Sequence, residues 1–296
     1  MATIAQRATL AQRLRRWEGL PYWLVLPTLA YLALFFAWPM VQSFELAFRE
    51  EGRWTLEHVR TMTDDLRFGE ALRFTLLLIV VIVPLQFLLA LGMALLVNAK
   101  LRGRGIFLYI FLLPLAISDL AAGIVWSAIF TETGYLNTIL QRLGILEFPY
   151  IWINPTNDNL LLFAVVMAEL WRSTALVMII LVAGLQGIPR DYTEAAEVFG
   201  AGFFQRVRYV ILPMLKPSLQ VALVLRLILA FEVFSTVIAI TGASTTVLAA
   251  EAWRWHTANF DSNVAAAYAS LILVLSLVSA ALVLRLLRTP KVQLLR

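Results

Sequence analysis

The sequence predicts an all-α polytopic membrane protein: six transmembrane helices, both termini cytoplasmic, and a helical loop on the cytoplasmic face. Three observations carry this. Of 296 residues 61% are hydrophobic and 15% charged, with a mean hydropathy of +0.81, whereas a water-facing surface calls for about a quarter charged. The apolar residues gather in six blocks, each long enough to cross ~30 Å of hydrocarbon as a helix. The connecting segments alternate between rich and poor in Lys and Arg.

The tail 1–21 is basic, with Arg7, Arg13, Arg15 and Arg16. It leads into a block over about Tyr22–Phe44 that is longer than a signal-peptide core and lacks a small-residue cleavage site, so it reads as a retained first span. The following blocks cover Phe74–Val97, Ile106–Phe130, Leu160–Leu185, Leu219–Ile240 and Ala265–Leu287. Pro27, Pro39, Pro84 and Pro114 lie within or at the ends of spans, where neighbouring helices can satisfy the freed carbonyls. The segment 131–159 holds a short amphipathic helix marked by Leu136, Ile139, Leu140 and Leu143, of the kind that lies on a membrane surface. Residues 22–287 therefore read as one six-helix domain, closed by a tail over 288–296.

Lys and Arg fix the direction. The N-terminal tail, the loop 98–105, the loop 186–217 and the end from Arg285 onward carry fifteen between them, and the alternate segments 48–73, 131–159 and 241–264 carry seven. Basic residues stay inside, so both termini and the loop 186–217 face the cytoplasm. The same bias accounts for the net charge of +5 without nucleic acid as a partner; the surrounding partner is membrane lipid.

Several chemistries drop out. There is no cysteine, and His58 and His256 both lie outside the apolar blocks, so no intramembrane metal, haem or nucleophile–base site is expected. No GxxxxGK[ST] run occurs, so nothing here cradles nucleotide phosphates.

The loop 186–217 is the most informative segment. Pro189 ends the preceding helix, and Asp191 with Glu194 three positions on makes a start like a capping box. Tyr192, Ala195, Ala196, Phe199 and Phe203 recur at helical spacing as an apolar stripe, opposite Asp191, Glu194 and Glu197. Gly200 and Gly202 offer a left-handed terminus. A second short helix is expected over Phe203–Val210, stopped by Pro213.

Glu194-Ala195-Ala196, three residues, Gly200, nine residues, then Val210-Ile211-Leu212-Pro213 resembles the EAA loop of importer-type ABC permeases. The family more often has Ile at 210 and Asp at 199. Leu113-Pro114 with Trp126, Gly134 and Asn137, Phe234-Ser235-Thr236 with Thr241-Gly242, and Ala267-Tyr268-Ala269-Ser270 are similar to spans three, five and six of the maltose/trehalose-type carbohydrate permeases. The resemblance implies that Glu194, Ala195, Ala196 and Gly200 couple the spans to a separate ATPase, which holds the ATP and Mg, so this chain carries no cofactor. It also implies a homologous second permease, two ATPase copies, an extracytoplasmic solute-binding protein, the bacterial inner membrane as location, and import of a sugar by alternating access.

Apart from Arg285 at the end of the last block, five charges sit within the blocks: Asp119, Glu169, Arg172, Arg226 and Glu232. Unpaired at helix centres they would cost on the order of 15 kcal/mol together, so they must pair, approach an interface or face a watery cavity. Glu169 and Arg172 stand i,i+3 and can neutralise one another; Arg226 and Glu232 point to different neighbours. The substrate-path candidates are Trp126, Glu169, Arg172, Ser173, Arg226, Glu232 and Ser235, together with Trp171. Trp253, Trp255 and His256 fit an interfacial aromatic belt better than a docking surface. The rival reading is an ion-coupled secondary transporter using Asp119, Glu169 and Glu232, although no inverted repeat supports it.

Overall fold

The computed structural model describes residues 20–99, 102–242 and 244–287, so the two expected tails lie almost wholly outside the described residues. Helix α1 (Leu20–Leu32) continues through a wide turn (Ala33–Ala37) into α2 (Trp38–Phe48). A hairpin follows, β1 (Arg49–Glu50) paired antiparallel with β2 (Arg53–Trp54). Glu51 and Gly52 at its tip both have positive φ, as a tight two-residue hairpin turn requires. Then come α3 (Glu57–Asp64), α4 (Phe68–Asn98), α5 (Arg104–Leu112), α6 (Asp119–Phe130), α7 (Tyr135–Arg142), α8 (Asp158–Gln186), α9 (Arg190–Val198) and α10 (Phe203–Arg206). The chain ends in α11 (Leu212–Phe231), α12 (Ser235–Thr241), α13 (Leu248–Thr257) and α14 (Ser262–Leu286).

Five of the expected spans are present as long apolar helical stretches: Trp23–Phe48, Phe68–Asn98, Asp158–Gln186, Phe203–Phe231 and Ser262–Leu286. At 1.5 Å per residue each exceeds the hydrocarbon thickness. The third block is different. Instead of one helix over Ile106–Phe130, the chain breaks after Pro114, and the segments Arg104–Ala116 and Asp119–Arg142 stand at 101°. Leu113–Ala116 tightens to a 3₁₀ turn, Ile117 is extended, and the Ser118 hydroxyl caps α6 by accepting from the Ala121 amide at 3.3 Å.

The fifth block also departs from expectation. Pro213 does not stop the helix that begins at Phe203. The turn over Val207–Ile211 widens to π geometry, with the Leu212 amide donating to the Val207 carbonyl, the kind of local widening by which a helix accommodates a proline. The helix then runs on through Pro217 to Phe231. The break comes later, at residues 232–234, before α12 begins.

The most extensive pairing among the described helices is α4 along α8. One half of that seam buries Phe74, Leu78, Ile82, Ala164, Val165 and Val237, the other Ala90, Ala94, Met178, Leu181, Leu215 and Ala222. Close approach is bought with small residues: a Cβ on Gly184 would lie 2.2 Å from Ser218 Oγ on α11, and one on Gly123 would lie 2.6 Å from Ala239 Cβ on α12. The long stretch α1–α2 behaves differently. Trp23–Gln42 is exposed throughout in the single chain, and only its far end, at Ala47, enters a core cluster with Leu248, Val264 and Tyr268.

Candidate functional site

Midway along the spans a set of polar side chains closes on itself. Glu169 (1% exposed) on α8 and Arg226 (2%) on α11 pair at 3.1 Å. Arg226 Nε donates to Gln86 Oε1 at 2.5 Å, and Gln86 Nε2 donates to the Glu169 carbonyl at 3.0 Å. Glu169 also accepts from the Ser173 hydroxyl at 3.1 Å and from Thr236 at 2.9 Å. Thr236 Oγ1 also lies 3.3 Å from the Asp119 carbonyl, but its single proton serves one acceptor at a time. Asp119 and Arg172 pair at 2.6 Å, while Arg172 and Glu169 stand 4.0 Å apart. The expected Glu169–Arg172 neutralisation is therefore secondary: each has a nearer partner on another helix.

This cluster lies where both breaks converge. Asp119 opens α6 just after the bend, Thr236 lies in the first turn of α12 just after the second break, and α6 packs closely on α12. The chain thus sets two short helices against three long ones, α4, α8 and α11, with Glu169 bonded to both groups.

The other path candidates sit apart. Trp126 on α6 belongs to an aromatic group, with its ring 5.4 Å from Phe130 and 6.2 Å from Trp171. Ser235 is half-buried at the start of α12. Glu232 is exposed within the second break and lines a groove of about 590 Å³ with Phe234, Trp253 and His256. Gln86 and Thr236 escaped the sequence reading as site residues. Gln86 is uncharged in a long apolar run, and only its placement against Arg226, 140 positions away, reveals its role.

A second charge cluster lies at the end of the bundle that carries α13. Asp65 accepts from the Trp255 indole at 2.8 Å and the Arg67 amide at 3.0 Å, and pairs with Arg254. Glu251 (1% exposed) accepts from Thr246 at 2.7 Å and Arg254 Nε at 2.5 Å, with Arg67 at 3.6 Å. Burial pushes the Asp65 carboxyl up, but the Arg67 amide, the Trp255 indole and Arg254 together hold it below its ordinary value of 3.8. Arg254 is raised: burial opposes its charge, and Glu251 followed by Asp65 more than offsets that. Trp255 is therefore fixed by a hydrogen bond, whereas Trp253 faces the groove.

At the opposite end, α9 bridges α8 and the α10–α11 helix. Its start differs from the expected capping box: Pro189 is the cap residue, no side chain caps it, and Asp191 lies inside the first turn. Its end is as expected. Gly200 has φ +79, its amide donates to the Glu197 carbonyl at 2.9 Å, and the Ala201 amide reaches the Ala196 carbonyl at 2.9 Å, a Schellman arrangement. Glu197 pairs with Arg206 across the turn. Glu194, Ala195 and Gly200 are exposed and Ala196 is half-buried. The apolar stripe packs on little in this chain, with Phe199 90% exposed.

Comparison with known proteins agrees with this architecture. The profile of the family described as "Binding-protein-dependent transport system inner membrane component" matches residues 86–291. The trehalose/maltose transport system permease protein MalF of Thermococcus litoralis is 32% identical over 270 residues, covering 87% of this chain and 90% of that protein. The sulfoquinovosyl glycerol transport system permease protein SmoG of Agrobacterium fabrum is 34% identical over 238 residues, covering 79% and 76%. A solved bacterial ABC transporter involved in import of the acidic polysaccharide alginate superposes with a TM-score of 0.80 at 23% identity, over 94% of this chain and 98% of that one. The chain belongs to the binding-protein-dependent transport system inner membrane components, permeases that cross the cytoplasmic membrane several times.

Proposed function

We propose that this chain is one of two permease subunits of an ATP-driven sugar importer, with its termini and α9 in the cytoplasm. In this reading a separate ATPase pair, which holds ATP and Mg, receives Glu194, Ala195, Ala196 and Gly200. A solute-binding protein delivers the sugar at the α13 end, and a homologous permease completes the path. Two relatives carry saccharide-type solutes in their names, which supports the sugar reading.

One observation carries the coupling proposal: α9 stands on a stiff turn between two long spans and presents an unpacked apolar and carboxylate surface. Its Gly200 terminus and the Glu197–Arg206 pair join it to the helix beginning at Phe203, so closure of the ATPases would move α8 and α11 together. The mid-span cluster and the break at 232–234 would then alternate between facing either side, with Glu169, Arg172, Ser173, Arg226, Glu232, Ser235 and Trp126 along or behind the path. The domain limits follow from the same reading, with 22–287 forming the permease domain and 186–217 its coupling loop.

The test is isolation of the tagged chain from its native membrane in mild detergent. Co-purification of an ATPase and a second permease, with the ATPase lost on Glu194→Ala or Gly200→Val, supports the proposal. A folded chain that elutes alone, with solute uptake abolished by an ionophore but indifferent to ATP, would favour ion coupling instead.

A further inference from the structure

The arrangement of charge across the spans bears on which solute passes. The two mid-span arginines are both committed, Arg172 to Asp119 and Arg226 to Glu169. Glu232 is exposed at the second break, and among the described residues it has no ion-pair partner. The groove it lines contains no Lys or Arg.

The rest of that groove suits a small polyhydroxylated molecule. The Phe234 and Trp253 rings stand 6.1 Å apart at 47°, giving two aromatic faces whose negative π clouds attract the C–H face of a sugar ring. His256 Nδ1 lies 3.2 Å from the Ser262 hydroxyl, and Ser43 from α2 also lines the groove. The remaining wall is largely alanine, including Ala249, Ala265 and Ala269, which leaves room without adding polarity. A volume of about 590 Å³ falls within the range of small-molecule sites, which combine apolar walls with a few placed polar groups. A carboxylate accepts two or more hydroxyl donors and repels a second anion.

We propose that this groove is a saccharide subsite and that Glu232 makes it selective for charge: the solute is a neutral sugar or an amino sugar, not a sugar phosphate, sulfonate or uronate. This rests on the importer reading, and it divides the family, because relatives are named for both neutral and acidic solutes. Glu232 orders the solute's hydroxyls, and Trp253 with Phe234 holds its ring.

The test uses the whole transporter, reconstituted in vesicles with its ATPase inside reach of ATP and its binding protein on the opposite face. The vesicles are offered a mixture of trehalose, glucosamine, glycerol 3-phosphate and glucuronate, and accumulated solutes are identified by mass spectrometry with and without ATP. Accumulation of trehalose or glucosamine, with the two anions at least tenfold lower, is expected. ATP-dependent accumulation of either anion by the wild-type transporter overturns the charge selectivity while leaving the importer reading intact. ATP-dependent accumulation of none of the four overturns this inference, whereas the importer reading stands or falls on co-purification of the ATPase and the second permease. Trp253→Ala and Glu232→Lys should each lower accumulation of the favoured solute at least tenfold, in complexes shown by co-purification to retain every subunit. Glu232→Gln should narrow the gap between neutral and anionic probes; an unchanged gap assigns the selectivity elsewhere.

Discussion

The molecule contains two four-membered charge clusters of the same composition and opposite character. The mid-span cluster pairs Asp119 and Glu169 with Arg172 and Arg226; the α13-end cluster pairs Asp65 and Glu251 with Arg67 and Arg254. In the first, both members of the central pair, Glu169 and Arg226, are almost completely enclosed, with Asp119 and Arg172 reaching toward solvent, and their hydrogen bonds join helices on both sides of two chain breaks. In the second, Glu251 is equally enclosed but its partners Arg67 and Arg254 keep contact with solvent, as does Asp65, and the bonds tie the segment after α3 to α13. The same four kinds of charge can thus hold the junction of the short and long helices together in one place and anchor a loop in the other. Location decides the difference, because the cost of losing a partner rises steeply as water is excluded.

The largest effect should come from leaving one mid-span charge alone. Arg226→Ala removes the partner of a carboxylate that is 1% exposed, and stability should fall by about 3–5 kcal/mol. The double replacement of Glu169 and Arg226 by Met should recover most of that loss, since exchanging a buried pair for apolar groups is often neutral. Thermal unfolding of the purified complex, followed by intrinsic fluorescence, measures both. If uptake stays low in the restored double variant, the cluster serves movement and not only folding. Full recovery of uptake would reduce it to a structural brace.

A smaller effect is expected at the neutral members. Gln86→Leu leaves the buried Arg226 Nε without its partner and removes a second donor from the Glu169 carbonyl, costing about 1–3 kcal/mol. Thr236→Val cuts the hydroxyl link between α12 and Glu169 at about 1 kcal/mol. The Thr236 change should alter uptake more than stability, because it acts at the junction of the short and long helices. A proportional loss of both would deny that junction a special role.

The α13-end cluster should separate from the mid-span one by pH. Asp65 is held below 3.8 in the folded chain, so its contribution is present in full above that value and is lost as pH falls through the lower folded value. Asp65→Asn should cost about 1.5 kcal/mol near neutrality, in the range for hydrogen bonds to a charged group. The melting temperatures of wild type and variant should converge as pH drops below 3.8. A gap that persists there would place the stabilisation in the shape of the site and not in its charge.

The two regions were not equally legible in the sequence. The fold class and the number of apolar blocks could be read because long uninterrupted runs have one physical solution in a membrane. Gly200 and the α9 turn could be read because a left-handed terminus has a local signature. The breaks could not. Pro114 marked the first only as a tolerable kink, yet Ile117 and Ser118 turned it into a bend of 101°. Pro213 looked like a stop, but a π turn absorbed it. The second break, at 232–234, carries neither Gly nor Pro. The four mid-span charges were visible as costly residues, but their pairing joins α6 to α8 and α8 to α11, which is a matter of tertiary placement. At the α13 end even the candidates were obscure, because Asp65 and Glu251 lie outside the apolar blocks, where a charge carries no cost that would single it out.

The smallest expected effect belongs to a third pair that lies in neither cluster. Glu197 and Arg206 bridge the Gly200 turn at the α9 end, with Glu197 more than half exposed. An exposed pair contributes about 0–1 kcal/mol, so Arg206→Ala should barely change unfolding. If the pair holds α9 at a fixed angle to the helix beginning at Phe203, however, its loss should weaken the coupling of ATP hydrolysis to uptake. The measure is the ratio of ATP hydrolysed to solute accumulated in reconstituted vesicles, compared between wild type, Arg206→Ala and Arg206→Lys, the last retaining the charge. A rise in that ratio for Arg206→Ala, largely reversed in Arg206→Lys and with unfolding unchanged, makes the pair a transmission element. An unchanged ratio means that the Gly200 turn alone sets the angle, and that charge matters to movement only where water is excluded.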